Sequence, residues 1–207
     1  MGIEVTKSPE KIVHEEKVVR IVGGRLKGRA LMSPANEHLR PTADRVKESI
    51  FNILLHGIDG FNIENIAVID VFCGTGALGL EAISRGARHS IFIDHNNGAI
   101  EIARQNALSM GLKDEVTILK LEMQTLAQPP KKVRLPAKLA FLDPPYNKGL
   151  ASMALSVLKN KGWLEHDALC VVETSVKEML DIPKDFNFLN ERIYGPTRII
   201  FFRYNRQ

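Results

Sequence analysis

From residue 66 onward, two kinds of apolar segment alternate along the chain, and this alternation limits the possible folds more than any other feature. Short apolar runs predict strands at 66–72, 90–94, 116–119, 139–142 and 169–173. Longer segments with helical spacing predict helices at 78–85, 98–110 and 150–159. Strands that alternate with helices build a mostly parallel, doubly wound α/β sheet. Two last runs, 186–193 and 197–204, flank Gly195-Pro196 and predict a closing hairpin that adds an antiparallel strand.

A glycine-rich turn joins the first predicted strand to the helix at 78–85. Gly74, Gly76 and Gly79 form the pattern G-x-G-x-x-G, which allows a tight turn and the close approach of a ligand. Asp94 ends the next strand, twenty positions after Gly74, where a carboxylate can bind both hydroxyl groups of a ribose. The turn therefore predicts a cofactor site for a dinucleotide or for S-adenosylmethionine, unless Asp94 is only a loop carboxylate.

Asp70 favours the second of these cofactors. It lies four residues before Gly74, where a carboxylate could reach the ammonium group of S-adenosylmethionine through the loop or a water. The same carboxylate would repel the pyrophosphate of a dinucleotide. The alternative is that Asp70 only caps the turn.

The residues Asp143-Pro144-Pro145-Tyr146 follow the strand predicted at 139–142. In open α/β sheets, ligands bind at this end of the strands. Two adjacent prolines have fixed φ angles and no backbone donors, so their carbonyl groups and the Asp143 carboxylate can accept hydrogen bonds beside a flat ring. This arrangement suits a planar base with an exocyclic NH₂ group. The alternative is a proline-stiffened turn in which Tyr146 belongs to the core.

The N-terminal region is basic. Residues 17–47 carry eight cations and two anions, a local charge of +6, against +4 for the whole chain. A basic segment beside a catalytic domain suggests contact with nucleic-acid phosphates, although a solvated surface is the alternative.

Several classes of protein are disfavoured by composition. No apolar run approaches the roughly 20 residues that a membrane-spanning helix needs, and the polar first 17 residues do not resemble a secretory signal. Cys73 and Cys170 lie in apolar contexts without metal-ligand spacing, and the six histidines form no cluster. We therefore expect free thiols, no metal, and a cytoplasmic protein.

Four segments resemble the bacterial guanine-N2 methyltransferases that modify 16S ribosomal RNA. They are 20–29, 39–48, 70–81 and 143–146, and the resemblance runs from about residue 18 to the C-terminus. The patterns G-G-R-x-x-G-R and L-R-P-T-x-D-R-V-x-E are the more specific, since many amino-methyltransferases share the other two. The resemblance implies a seven-stranded, Rossmann-like S-adenosylmethionine-dependent methyltransferase fold with a small N-terminal β-hairpin extension. It also implies S-adenosylmethionine as the cofactor and the N2 amine of a guanine in 16S rRNA as the acceptor.

The motifs and the resemblance together assign residues to three roles. The catalytic set is Asp143, Pro144, Pro145 and Tyr146. The cofactor-binding set is Asp70, Phe72, Gly74, Gly76, Asp94 and Glu122, the last a loose match to the family's adenine contact. The RNA-binding set is Arg20, Arg25, Lys27, Arg29, Arg40 and Arg45. Arg40 and Arg45 flank a helix start that Pro41-Thr42 predicts, and they could instead close over the cofactor and the target base.

We expect a tail at 1–17, the hairpin extension at 18–40 and the methyltransferase domain at 41–207. The expected partner is 16S rRNA, either naked or within an assembling small subunit, and the protein is expected to be a monomer without membrane contact. Two rival functions remain at this point. One is amino-methylation of DNA adenine or protein glutamine, and the other is that of a dinucleotide-binding oxidoreductase or a non-catalytic nucleotide-binding module.

Overall fold

The computed structural model describes residues 19–34, 43–131, 133, 136–146 and 148–205. The helices are α1 (Ala43–His56), α2 (Ala77–Ser84), α3 (Asn97–Ser109) and α4 (Leu150–Asn160). The strands are β1 (Ala67–Val71), β2 (His89–Asp94), β3 (Val116–Lys120), β4 (Ala137–Leu142), β5 (Leu164–Ser175), β6 (Phe186–Tyr194) and β7 (Thr197–Tyr204). Short 3₁₀ turns lie at Gly24–Leu26 and Met123–Thr125.

The seven strands form one sheet in the order β3-β2-β1-β4-β5-β7-β6. Strands β1 to β5 pair in parallel, whereas β7 runs antiparallel to both of its neighbours. The predicted doubly wound sheet with a closing hairpin is therefore confirmed. Because β1 lies between β2 and β4, the chain turns away in opposite directions after β1 and after β4. This switch point opens a crevice at the carboxyl ends of the two strands, where ligands bind in such sheets.

Strand β5 begins at Leu164, five residues earlier than the sequence predicts. Its first turn of polar residues is only partly buried, so the segment lacks the apolar pattern of a central strand. Asp167 within it has a φ of +61°, and the pairing with β4 shifts register between Ala137 and Leu139. The regular, buried part of β5 therefore starts close to the predicted position.

The sheet is rigid because apolar side chains cover both of its faces. Val46, Ile50 and Leu54 of α1 are buried against one face, which confirms the predicted apolar face of this helix. Leu155 and Leu158 of α4 are buried against the other. The strand ends are thus held in place by packing.

The N-terminal extension pairs as a short hairpin within the described residues. The Leu31 amide donates to the Val19 carbonyl at 2.8 Å and the Ile21 amide donates to the Arg29 carbonyl at 3.0 Å. Ile21 and Leu31 pack on α2 and α3. The domain boundaries stay a prediction, and residues 1–17, the Thr42 cap and Arg40 lie outside the described residues.

Buried polar groups fasten this hairpin to the domain. The Val22 amide donates to the carboxylate of Glu81 at 2.7 Å, and Glu81 is completely buried. The Asn106 amide group accepts from the Met32 amide at 2.7 Å and donates to the Thr75 carbonyl at 3.0 Å. The extension is therefore attached to the turn that follows β1.

Within the described part of the chain, no helix is long and apolar enough to cross a membrane. The same residues contain no group of His, Cys, Asp or Glu side chains that could hold a metal ion. Cys73 and Cys170 are free, as predicted, and burial raises the pKa of both thiols.

Candidate active site

A cleft of about 700 Å³ opens at the carboxyl ends of β1 and β4. This volume lies in the usual range for small-molecule sites. The turn after β1, the end of β2 and the loop after β4 line it, together with α1, β5 and the β6–β7 turn. The structure thus brings the predicted cofactor motif and the predicted acceptor motif to one cavity.

Strand pairing places the two motifs side by side. The Asp143 amide donates to the Val71 carbonyl at 3.4 Å, which continues the β1–β4 pairing into the loop. Asp143 and Pro145 are exposed, whereas Pro144 is buried. The Asp143 side chain therefore lies at the cleft, next to the glycine turn.

Gly74 is the point at which the backbone of this turn is most open to a ligand. Its φ of +53° favours glycine, and a Cβ atom built there would meet no atom within 4 Å. Gly79 is required for a different reason, because a Cβ there would lie 2.2 Å from the ring of Phe92. Gly76 directly precedes α2 with a φ of +77°. The turn is thus packed on its inner side and open towards the cleft.

Asp94 lines the cleft and also holds the glycine turn. One carboxylate oxygen accepts from the Gly74 amide at 3.1 Å and the other accepts from the Asn96 amide at 2.9 Å. Each oxygen has a second lone pair, so the carboxylate can accept further bonds from a ribose. Phe72, with a φ of +60°, lies beside it at the end of β1.

Asp70 lies beneath the turn and is 2% exposed. Its carboxylate accepts from the Gly79 amide at 2.8 Å, and the side chain does not line the cleft. Burial raises the pKa of Asp70 to about 7, the Asp94 charge adds to the rise, and the Gly79 bond opposes it. The observed contact is the turn-capping one. The contact with the cofactor ammonium stays a prediction.

A smaller cavity of about 300 Å³ adjoins the cleft beyond Asp94. Phe72, Leu121, Glu122 and Met123 are among the residues that line it. Apolar side chains beside one carboxylate suit a flat ring that carries an amine. This position is consistent with the predicted adenine contact of Glu122, which stays a prediction.

Tyr146 is fixed at its hydroxyl end. The hydroxyl donates to the Glu173 carboxylate at 2.6 Å and lies 3.0 Å from the Thr197 hydroxyl. Burial raises the pKa of Tyr146 to about 12, and the hydrogen bond to Glu173 adds to the rise. The ring is therefore neutral at physiological pH and lines the cleft.

The predicted RNA-binding residues are spread over the molecule. Arg25 contacts Glu115 at 2.5 Å just before β3, and the Arg29 guanidinium donates to the Ser109 carbonyl at 2.6 Å at the end of α3. Both therefore lie at the amino edge of the parallel strands, opposite the cleft. Lys27 is exposed near them, and Arg45 is exposed on α1. Arg20, also exposed, donates to the Gly28 carbonyl at 3.3 Å.

Several cleft residues are absent from the sequence-based prediction: Val19, Lys47, Glu173, Tyr194 and Thr197. Glu173 carries a detectable signal, because it is a carboxylate at the end of the apolar run 169–172. Tyr194 and Thr197 have none, since only the pairing of β7 with β5 brings their turn to the cleft.

The chain matches the family model described as Conserved hypothetical protein 95 over residues 19–203. Ribosomal RNA small subunit methyltransferase D of Escherichia coli (strain K12) is 33% identical over 178 residues, which are 86% of this chain and 85% of that protein. The protein of the same name from Haemophilus influenzae is 34% identical over 179 residues, with 86% and 89% covered.

Solved structures show the same relation. The structure of yhhF from Escherichia coli has a TM-score of 0.77 at 31% identity and covers 92% of this chain and 99% of its own. An RNA methyltransferase from Salinibacter ruber, solved with S-adenosyl-L-homocysteine, has a TM-score of 0.58 at 13% identity, which shows a shared fold. The predicted methyltransferase fold is confirmed. The chain therefore belongs to the Conserved hypothetical protein 95 family and is a relative of ribosomal RNA small subunit methyltransferase D.

Proposed function

We propose that this protein methylates the exocyclic N2 amine of a guanine in 16S ribosomal RNA. The observation that carries the proposal is the junction of two sites in one cleft. Asp143, the first residue of the acceptor motif, is hydrogen-bonded to the end of β1, directly before the glycine turn. A base held at the acceptor motif therefore lies against whatever the turn binds.

The cofactor is S-adenosylmethionine, which supplies a methyl group on a sulfonium when bound. The residues present fit it. Gly74 leaves open space for the approach of the ligand, and Asp94 has lone pairs left for the ribose hydroxyls. The side cavity with Glu122 is placed to take the adenine ring. No carboxylate of the acceptor motif is needed for this binding.

The acceptor residues overcome the poor nucleophilicity of the amine, whose lone pair is delocalised into the guanine ring. We infer that the Asp143 carboxylate and the Pro144 carbonyl accept the two N–H hydrogens. These bonds favour a pyramidal nitrogen and direct its lone pair towards the methyl group. The Tyr146 ring stacks on the base and fixes its plane. Such orientation can supply about 7–11 kcal/mol in ideal cases.

After transfer, the nitrogen must lose one proton, which Asp143 or a water can accept. The target guanine must also leave its stack to enter the cleft. This step costs a few kcal/mol and is least costly in single-stranded loops. A loop guanine in folded rRNA is therefore the expected substrate.

The test is methyl transfer to 16S rRNA, naked and within small subunits, followed by mass spectrometry of the nucleosides. We expect N2-methylguanosine at one position, and the same position should lack the methyl group in rRNA from a strain without the gene. Double-stranded DNA and a glutamine-bearing protein are assayed in parallel. Methylated adenine or glutamine in place of methylated guanine would contradict the proposal.

Replacement of Asp94 with alanine should weaken S-adenosylmethionine binding by about 1–3 kcal/mol, the scale for loss of hydrogen bonds to a charged group. The change removes the acceptor for the ribose and also releases the Gly74 amide. Isothermal titration calorimetry measures the loss. Glu101→Ala, at an exposed carboxylate of α3, is the matched control and should bind as the wild type does. Equal affinity of Asp94→Ala and the control would refute this role.

Neutralisation of Arg25, Lys27 and Arg29 together should weaken RNA binding and flatten its salt dependence. For every phosphate that these side chains neutralise in the wild type, the variant should have a slope of log K against log salt that is shallower by about 0.7–0.9. Filter binding at several salt concentrations measures this slope. Neutralisation of the exposed Lys161, Lys177 and Lys184 is the control, and cofactor affinity should stay the same in both variants. An unchanged slope would mean that these cations only attach the hairpin, as the contacts of Arg25 and Arg29 also allow.

A further inference from the structure

Glu173 is a carboxylate in an otherwise apolar part of the sheet. Its neighbours on β5, Val172 and Thr174, are completely buried, and Glu173 itself is half-buried in the cleft wall. Among the described residues, no cation lies within ion-pair distance of it. A charge placed there without a cation costs stability unless hydrogen bonds or a ligand satisfy it.

Only one of its two oxygens is satisfied by the described part of the protein. Tyr146 has a single hydroxyl proton and donates it to Oε1 of Glu173. The Thr197 hydroxyl must then donate to the Tyr146 oxygen, because a carboxylate cannot donate a proton to complete the chain. The second oxygen of Glu173, Oε2, has no hydrogen-bond partner among the described residues, and the side chain borders the cleft. The acceptor end of the cleft thus presents a second carboxylate oxygen beside Tyr146 and Asp143.

The donors of guanine match this pair of acceptors. Guanine carries a ring N1–H directly beside its N2 amine, so one edge offers adjacent donors. Adenine and cytosine place a ring acceptor beside their amine, and uracil has no amine. A base whose amine bonds to Asp143 would therefore direct N1–H or a lone pair at a neighbouring acceptor, and only N1–H is attractive.

We propose that Oε2 of Glu173 accepts a hydrogen bond from N1–H of the target guanine and so selects guanine over the other bases. The inference rests on the proposed function and adds the residue that reads the base. Asp143 then binds the reacting amine, whereas Glu173 recognises the ring. The Tyr146 hydroxyl holds the Glu173 carboxylate in the orientation that recognition needs.

The test compares two synthetic RNAs in single-turnover assays, one with guanine and one with 2-aminopurine at the target position. 2-Aminopurine keeps the amine but has a ring acceptor in place of N1–H. The wild type should prefer guanine. In Glu173→Gln, the amide oxygen can still accept from Tyr146, and the amide NH₂ can donate to 2-aminopurine. We expect guanine methylation to fall by about 10- to 100-fold, and the preference for guanine to shrink or reverse.

Two further variants separate recognition from support of the ring. Glu191→Gln removes an exposed carboxylate of β6 and should leave rates and preference unchanged. Tyr146→Phe removes the hydroxyl and should change the rate more than the preference. If Glu173→Gln is slower but keeps the wild-type preference, the carboxylate only holds Tyr146 and the inference is overturned. If the wild type transfers no methyl group to guanine, the proposed function itself fails.

Discussion

Asp143→Ala should lower single-turnover methyl transfer to guanine on the order of a hundredfold or more, the scale for losing one aligned group at a reacting centre. The change removes the carboxylate that accepts from the reacting amine, while the Asp143 amide can still donate to the Val71 carbonyl. Because the side chain is exposed, the melting temperature and S-adenosylmethionine affinity should stay close to those of the wild type. Single-turnover transfer, thermal melting and calorimetry on one preparation measure these three quantities.

Two controls make this result specific. Asp114→Ala removes an exposed carboxylate before β3, at the opposite edge of the sheet, and should be fully active. Asp143→Asn keeps one acceptor oxygen and should retain more activity than the alanine variant. Full activity of Asp143→Ala would return the motif to a proline-stiffened turn.

Tyr146→Ala should have the second largest effect. Loss of the ring removes stacking worth about 1–3 kcal/mol per base, and it also leaves Glu173 without its hydroxyl donor. RNA binding and single-turnover transfer should both weaken, whereas S-adenosylmethionine should still bind. The protein should remain folded, since Tyr146 is only partly buried. Unfolding of this variant at room temperature would show that the ring serves the core.

Tyr146→Phe distinguishes the ring from its hydroxyl. From the sequence alone, the phenylalanine variant should stay largely active, because the flat ring does the stacking. The structure adds that Glu173 and Thr197 hold the hydroxyl, so the ring of the variant is less fixed. We therefore expect activity between that of the wild type and that of Tyr146→Ala. Transfer rates of the three proteins on the same RNA provide the measurement.

The order of strands and helices could be predicted because each element carries its own local pattern. The same is true of the glycine turn, Asp94 and Asp143, which mark strand ends in the sequence. Asp70 shows the limit of such reasoning. A carboxylate near a strand end can lie above the following turn or beneath it, and the packing of the turn against β2 decides between the two positions.

Glu173 and Thr197 show a second limit. They are 24 residues apart in the chain, and they meet only because β7 pairs with β5 and separates it from β6. The sequence predicts the closing hairpin but not which of its strands inserts into the sheet. Likewise, a count of charges shows that the N-terminal region is basic but not that Arg25 and Arg29 lie at the edge away from the cleft.

The distance between the hairpin tip and the cleft sets a size for the substrate. Helix α3 has 13 residues and runs from the cleft edge to the edge where Arg29 contacts Ser109. At 1.5 Å per residue, it separates the two regions by about 20 Å. An RNA that reaches both must extend several nucleotides beyond the methylated base or fold back along the side of the domain. A short oligonucleotide around the guanine would use the cleft alone, so the protein would measure the breadth of a folded RNA before it modifies a single base.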